Sequence, residues 1–123
     1  MRAERWIVDG MNVIGSRPDG WWRDRPGAMQ ALAEQLAAWA DGREVTVVFD
    51  GRPFNLAHSG VTVEFASRRG PNAADDDIVR LVEADEDRAE LRVVTSDHDL
   101  ARRVRELGAE VVSSGAFREL FEP

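Results

Sequence analysis

Three short apolar runs in this chain each lead, directly or after two polar residues, into an aspartate: Asp9, Asp50 and Asp97. The runs are apolar at consecutive positions, which is typical of parallel strands that are covered on both faces. Because the binding crevice of such a sheet lies beyond the carboxyl ends of its strands, these aspartates are expected to converge there. Converging like charges need a cation or a proton to neutralise them. The pattern therefore indicates a divalent-metal site.

Strand-like and helix-like segments alternate along the chain. Strands are predicted over residues 5–9, 44–50, 61–65, 91–95 and 109–112,. Helices are predicted from Pro26 to Gly42, from Ala73 onward and from residue 98 to Gly108, with a last helical turn over residues 115–121,. Glycine and proline between residues 10 and 20 predict a long loop. This order predicts an α/β fold: a three-layer α/β/α sandwich with a central, mostly parallel sheet of about five strands, in one domain over residues 1–123.

The chain has 123 residues and contains neither cysteine nor lysine, since all 16 of its basic residues are arginine. Thiol nucleophiles, zinc–thiolate sites, Schiff bases and lysine-bearing phosphate loops are therefore excluded. The two histidines, His58 and His98, are too few and too scattered for a nitrogen-rich zinc site, so oxygen ligands and Mg²⁺ or Mn²⁺ are expected. No segment resembles a signal peptide or membrane span. We expect a cytoplasmic protein with no membrane partner.

Three consecutive acids, Asp75, Asp76 and Asp77, open the predicted helix that begins at Ala73. Asp75 precedes Ile78 and the next apolar positions by three, four and seven residues, so it shares the face that packs on the sheet. We expect Asp75 to face the site first, Asp76 second and Asp77 least. The alternative is that all three only cap the helix and complement its dipole.

The strand-end acids also have ordinary explanations. Asp9 and Asp50 each precede a glycine, and Asp-Gly pairs are common in turns. Asp97 can cap the helix that follows it, and Asp99 can complement that helix's dipole. The pattern alone therefore leaves two roles open for each acid: metal ligand or structural residue.

A resemblance to the NYN domain family, particularly its YacP-like branch, is carried by three segments: IVDGMNVIG at residues 7–15, ADDDI at 74–78 and VTSDHDL at 94–100. Their order and spacing are more specific than any one of them, and the resemblance extends to GAFREL at residues 115–120. The NYN family belongs to the PIN-like, metal-dependent ribonucleases. The resemblance implies a PIN-like, Rossmann-like form of the predicted sandwich.

The same resemblance implies a hydrolytic endoribonuclease that uses Mg²⁺ or Mn²⁺ and acts on single-stranded or loop RNA, with ribosome-engaged RNA as one candidate. The catalytic, metal-binding acids would be Asp9, Asp75 and Asp97. Three further acids would support the metal: Asp50, Asp76 and Asp99. Two polar residues would line the substrate site: Asn12 and Ser96.

A net charge of −7 disfavours nonspecific binding of nucleic acid, since phosphate contacts normally come from a basic surface. Arginines on the predicted loops offset this objection, because they can rim the acidic edge: Arg17, Arg23, Arg25, Arg52, Arg68 and Arg69. Trp21 and Trp22 lie in the first of these loops. They can stack on unpaired bases or pack against the first helix.

Two other functions compete with the nuclease. A noncatalytic NYN module would bind RNA or a protein partner, and retention of the three principal acids favours the enzyme over it. A phosphatase of the haloacid-dehalogenase kind needs a second aspartate two residues after the first. Met11 occupies that position here, which speaks against the phosphatase.

Overall fold

The computed structural model of the protein describes residues 3–56 and 58–122, so residues 1, 2, 57 and 123 of the predicted domain lie outside the described residues. The strands are β1 (Arg5–Asp9), β2 (Glu44–Phe49), β3 (Thr62–Phe65), β4 (Leu91–Val94) and β5 (Glu110–Val112). The α-helices are α1 (Gly10–Gly15), α2 (Arg25–Ala40), α3 (Ala73–Ala84), α4 (His98–Glu106) and α5 (Ser114–Arg118). Two short 3₁₀ helices cover Trp21–Arg23 and Arg88–Glu90.

The five strands form one sheet in the order β3-β2-β1-β4-β5, and every pairing is parallel. The chain builds β1, β2 and β3 in one direction and then returns to place β4 on the other side of β1. The strand order therefore reverses between β1 and β4. In open α/β sheets this reversal creates a crevice beyond the strand ends, and Asp9 and Asp97 follow the two strands that flank it.

Apolar side chains cover both faces of the sheet. On one face Trp6 and Phe49 pack with α1, α2 and α5, whose buried residues include Leu36 and Phe117. On the other face the strands pack against α3 and α4, with the buried residues Ile7, Val48, Ile78, Val93, Leu100 and Val104. Consecutive strand residues thus point to opposite cores, which explains the unbroken apolar runs. The predicted three-layer sandwich is confirmed, and its sheet is entirely parallel.

The prediction of a long loop after the first strand is wrong over residues 10–15, where the chain forms α1. Gly10 was interpreted as a turn residue, but it is the first residue of α1 and is required there for packing. A Cβ at this position would lie 2.5 Å from the ring of Phe49, so the residue must be glycine for α1 to pack against β2. That contact comes from a strand about forty residues later and leaves no local signal.

The other helices begin and end close to the predicted positions. The first-turn Pro26 and the buried Met29, Leu32 and Leu36 of α2 match the predicted helix, and Asp24 caps it by accepting from the amide of Gly27 at 3.1 Å. Among the residues that the structure describes, none of the helices combines the length and apolar character needed to cross a bilayer.

Candidate metal centre

Asp9 ends β1 and is buried, with only 5% of its surface exposed. Its Oδ2 accepts a hydrogen bond of 2.9 Å from the hydroxyl of Thr95, just beyond β4. Burial, together with the charges of Asp75 and Asp50, raises the pKa of Asp9 to about 7, although the hydrogen bond from Thr95 and the backbone amide of Asn12 oppose the rise. Asp9 is therefore poised between its acid and carboxylate forms near neutral pH.

Asp75 lies in the first turn of α3 and is half-buried. Burial raises the pKa of Asp75, and the charges of Asp97 and Asp50 raise it further, while Arg103 of α4 opposes them. Repulsion of this kind acts between charges that are close in space. The structure therefore brings together four acids from four elements: Asp9, Asp50, Asp75 and Asp97. We call these four residues the acid cluster.

Two members of the acid cluster also accept hydrogen bonds from backbone amides in the first turn of a helix. Asp50 accepts a hydrogen bond of 2.9 Å from the backbone amide of Ala74 in the first turn of α3. Asp97 is the N-cap of α4 and accepts from the amide of Leu100 at 3.0 Å. The capping explanation is thus correct for Asp97, and the bond from Ala74 gives Asp50 a structural role as well. Neither contact excludes a second role, since each bond uses one oxygen and a carboxylate has two.

The other two acids that were predicted to support the metal, Asp76 and Asp99, form ion pairs with arginines. Asp76 forms ion pairs with Arg68 and Arg103, which lower the pKa of its carboxyl. The side chain of Asp99 is 81% exposed and pairs with Arg102. These contacts give no support to the expectation that Asp76 and Asp99 assist the acid cluster.

A network of polar groups joins the loops that surround the cluster. The Oδ1 of Asn12 accepts from the backbone amide of Ser96 at 2.9 Å and from the hydroxyl of Ser114 at 2.6 Å. The hydroxyl of Ser96 in turn accepts from the amide of Ser114 at 2.9 Å. Asn12 and Ser96 were expected to line the site, and this network fixes the ends of β4 and β5 relative to α1.

Three residues that contact or surround the acid cluster were not predicted as site residues from the sequence: Thr95, Arg103 and Ser114. A signal for two of them was present. Thr95 and Ser114 follow the ends of β4 and β5, so the argument applied to the strand-end acids applies equally to hydroxyl side chains. Arg103 had no such signal, because its position depends on how α4 packs beside α3.

The predicted substrate-binding arginines fall into two groups. Arg17 pairs with Glu122, and Arg68 pairs with Asp76. Arg52 and Arg69 are exposed and form no ion pair with any residue in the described ranges. Among these four arginines, only Arg52 and Arg69 can meet a phosphate without first losing an acidic partner. Of the other two loop arginines, Arg25 donates to the backbone oxygen of Asp50 and Arg23 lies over the ring of Trp22.

The two neighbouring tryptophans differ in their surroundings. Trp22 is 55% exposed, and the guanidinium of Arg23 lies 5.8 Å from the centre of its ring. Trp21 is half-buried, packs edge-on against Trp22 and lines a cavity with Ile14 and Leu32. The exposed ring of Trp22 is available for stacking on a base, whereas Trp21 packs against the protein. Each of the two explanations therefore applies to one tryptophan.

The donor chemistry of the acid cluster suits a hard divalent cation, because every donor is a carboxylate oxygen. As placed, however, no three histidine or acidic side chains within residues 3–56 and 58–122 lie close enough together to hold a metal ion. Mg²⁺ commonly keeps several waters and binds through one or two carboxylates. The cluster fits that mode of binding better than a closed cage of side chains.

Comparisons with known proteins agree with the fold. The family model described as the YacP-like NYN domain matches residues 6–122. The crystal structure of Rae1 (YacP) from Bacillus subtilis is similar, with 26% identity and a TM-score of 0.77 over 98% of this chain and 74% of that one. A tryptophan-to-leucine variant of Rae1 gives the same identity and TM-score over 95% of this chain and 74% of that chain. No curated protein sequence matches this chain. The chain belongs to the YacP-like NYN domain family, a family of PIN-like nucleases.

Proposed function

We propose that this protein is a metal-dependent endoribonuclease that hydrolyses RNA phosphodiester bonds at the acid cluster. The observation that carries the proposal is the gathering of Asp9, Asp50, Asp75 and Asp97 at the carboxyl edge of the sheet, where burial, and to a lesser degree the charges of the neighbouring acids, raises the pKa of Asp9 and Asp75. Concentrating negative charge lowers the stability of the fold, and acids perturbed in this way are found mostly where they serve a functional purpose. A cation-assisted reaction on a phosphate is such a purpose.

In this proposal the acids have separate tasks. Asp9, Asp75 and Asp97 bind Mg²⁺ or Mn²⁺, and Asp50 anchors the start of α3 through Ala74 so that Asp75 faces the others. Asp76 and Asp99 take no part, because arginines hold their carboxylates. A divalent ion bound here would lower the pKa of a water and neutralise charge on the phosphate.

The residues around the cluster favour water as the nucleophile. Cysteine and lysine are absent from the chain. The hydroxyls of Thr95 and Ser114 already donate hydrogen bonds, to Asp9 and Asn12 respectively. Hydrolysis by an activated water needs no protein nucleophile, whereas a phosphoryl-enzyme route through Thr95 or Ser114 would require the hydroxyl to leave its hydrogen-bond partner.

Exposed groups on the loops that follow the first three strands favour single-stranded or loop RNA as the substrate. Unpaired bases can stack on the exposed ring of Trp22, and Arg52 and Arg69 are available for phosphates,. Arg17 and Arg68 would first have to leave Glu122 and Asp76. RNA presented by a ribosome is unpaired where it is read, so ribosome-engaged RNA is included in the proposed substrate class.

A noncatalytic role is the second candidate, and one observation favours it. Since no three acidic or histidine side chains of the described residues form a ready metal site, the cluster can also belong to a module that binds RNA or a protein without cutting. The two functions differ in their response to metal: cutting requires it, and simple binding does not.

Incubating the purified protein with a labelled RNA, with Mn²⁺, with Mg²⁺ and with EDTA, tests the proposal. We expect internal cuts only when metal is present and their loss in Asp97→Asn. Asparagine is also a good N-cap, so α4 should survive the change. Asp99→Asn is the matched control, because this exposed acid lies two residues away on the same helix.

Two results would decide against the nuclease. Cutting that persists equally in Asp97→Asn and Asp99→Asn would identify a contaminating enzyme. RNA binding without cutting under any metal condition, with and without ribosomes added, would support the noncatalytic module instead.

A further inference from the structure

A groove lies between α4 and β5, directly beside the acid cluster. It has a volume of about 290 Å³, and we call it the α4–β5 groove. Its lining includes Thr95, the residue that donates to Asp9. The remaining lining residues are Ser96, His98, Ala101, Arg105, Val111 and Ser113. The groove thus begins at the proposed reaction centre and runs along α4 away from it.

The charge of the groove differs from that of the chain as a whole. The protein carries 23 acidic residues and a net charge of −7, yet no acid lines this groove. Other cavities differ in this respect. Arg17 and Arg118 offset Asp19 and Glu122 in the cavity beneath Trp21, and Arg43 offsets Glu44 in the one between β2 and β3, so neither lining carries the net positive charge that Arg105 gives to this groove. An anionic ligand meets less repulsion in the α4–β5 groove than in either of them.

Arg105 supplies the positive charge of the groove. Two other arginines of α4 are already paired, Arg102 with Asp99 and Glu106 and Arg103 with Asp76. Arg105 forms no ion pair or side-chain hydrogen bond with residues in the ranges 3–56 and 58–122. Its guanidinium keeps all five N–H donors available, and their planar arrangement matches a phosphate.

Hydroxyl groups lie on the opposite wall. Ser96 Oγ accepts from the amide of Ser114, and Ser113 Oγ accepts from the amide of Ala116. Within the described part of the chain neither hydroxyl donates a hydrogen bond, so both O–H groups remain available to a ligand. Ala101 and Val111 provide apolar surface between these donors and Arg105. The groove therefore combines hydrogen-bond donors with apolar surface.

We propose that the α4–β5 groove binds one nucleotide of single-stranded RNA next to the scissile phosphate, with Arg105 contacting a phosphate of that strand. This inference rests on the proposed function, because it takes the acid cluster as the place of cutting. A ligand site of this kind has roughly 300–1,000 Å³, so a groove of about 290 Å³ suits a single nucleotide and not a base pair. Binding here directs the strand along α4 and fixes which bond reaches the acids.

The test measures binding of a fluorescein-labelled single-stranded RNA of about twelve nucleotides by fluorescence anisotropy, in EDTA so that the RNA stays intact. Arg105→Ala should weaken binding about tenfold, the effect of losing a charge-assisted contact of about 1.4 kcal/mol. Arg102→Ala, the same change on the same helix, should weaken it less than twofold. Because Arg102 and Arg105 are both exposed, neither substitution should alter the melting temperature.

The salt dependence of binding provides a second readout. Each phosphate contact with a single strand contributes about 0.7 to the slope of log K against log salt, so Arg105→Ala should reduce that slope by about 0.7 and Arg102→Ala should not. Equal effects of the two substitutions on affinity and slope would overturn the groove as an RNA site.

The same samples, assayed with Mn²⁺, separate this inference from the proposed function. Cutting that persists in wild type, together with equal binding by the two arginine variants, would reject the groove alone. Binding that depends on Arg105 without any cutting would reject the nuclease and retain the groove as an RNA site. Wild-type protein that neither binds nor cuts RNA would reject both.

Discussion

The hydroxyl of Thr95 lies between two acids of the cluster, since it donates to Asp9 at 2.9 Å and accepts from the backbone amide of Asp97 at 3.1 Å. This one side chain links β1 to the end of β4 at the point where the strand order reverses. A hydrogen bond donated to a carboxylate favours its charged form. Thr95 therefore acts through Asp9, as a residue that positions it and keeps it ionisable.

Replacing Thr95 with valine should remove both hydrogen bonds with little change in shape. We expect a loss of about 1–3 kcal/mol in the free energy of unfolding, because buried polar groups are left without partners. The charged form of Asp9 also loses a donor, so more Mn²⁺ should be needed for half-maximal RNA cutting. Titrating cutting against Mn²⁺ checks this, and Thr95→Ser should stay close to wild type. An unchanged Mn²⁺ requirement in Thr95→Val would show that the hydroxyl has only a structural role.

Asp9 should make the metal-free protein less stable as the pH rises. Its folded-state pKa of about 7 lies above its ordinary value of 3.8, so the unfolded chain loses this proton first. The resulting penalty is absent below pH 3.8, grows between pH 3.8 and 7, and is complete above pH 7. Its upper bound is about 4 kcal/mol, from roughly three pKa units at about 1.4 kcal/mol each.

Asp9→Asn removes this penalty. In EDTA the variant should therefore be more stable than wild type at pH 8 and nearly equal to it at pH 4, as measured by urea denaturation. Glu34→Gln, on the exposed side of α2, should show no such dependence on pH. A variant that is equally stable or less stable at pH 8 would mean that burial of the Asp9 charge is not costly.

Asp75 and Asp76 are neighbours in sequence but should differ in function. Asp75 interacts with Asp97 and Asp50, whereas Asp76 is paired with Arg68 and Arg103. We expect Asp75→Asn to lower the rate of RNA cutting at least a hundredfold and Asp76→Asn to lower it only a few-fold. Single-turnover rates in Mn²⁺ measure the difference. The reverse order would show that the ion pairs of Asp76 open when metal binds.

Much of the site could be predicted because its acids are defined by local patterns. Asp9 and Asp97 follow apolar strands, and the spacing of Asp75 from Ile78 distinguishes it from Asp76 and Asp77. Parallel strands then bring such residues to one edge whatever the details of packing. This explains why the proximity of these acids could be predicted from the sequence, whereas their role as metal ligands stays a prediction.

The parts that could not be predicted depend on distant partners. The close approach of Phe49 explains the glycine at position 10, and the pairing of Arg17 with Glu122 joins residues over a hundred positions apart. A count of loop arginines cannot reveal which of them are already neutralised. The arginine of the α4–β5 groove, Arg105, was for the same reason not among the predicted substrate residues.

The adjacent tryptophans should separate RNA binding from folding. Trp22 is 55% exposed, so Trp22→Ala should leave the melting temperature unchanged and weaken binding of single-stranded RNA by about 1–3 kcal/mol, the usual contribution of stacking with one base. Trp21 is half-buried against Ile14 and Leu32, so Trp21→Ala should lower the melting temperature, with a cost below the ~3–5 kcal/mol of a fully buried ring.

Thermal unfolding and RNA anisotropy on the same two variants check both halves of this prediction. The two rings lie only 5.9 Å apart, edge to face, so each substitution serves as the control for disturbance of the other. Parallel losses of stability and binding in both variants would mean that the pair acts as one packing unit. Loss of binding confined to Trp22→Ala would show that bases stack on its exposed ring, because the packed ring then contributes only to the fold.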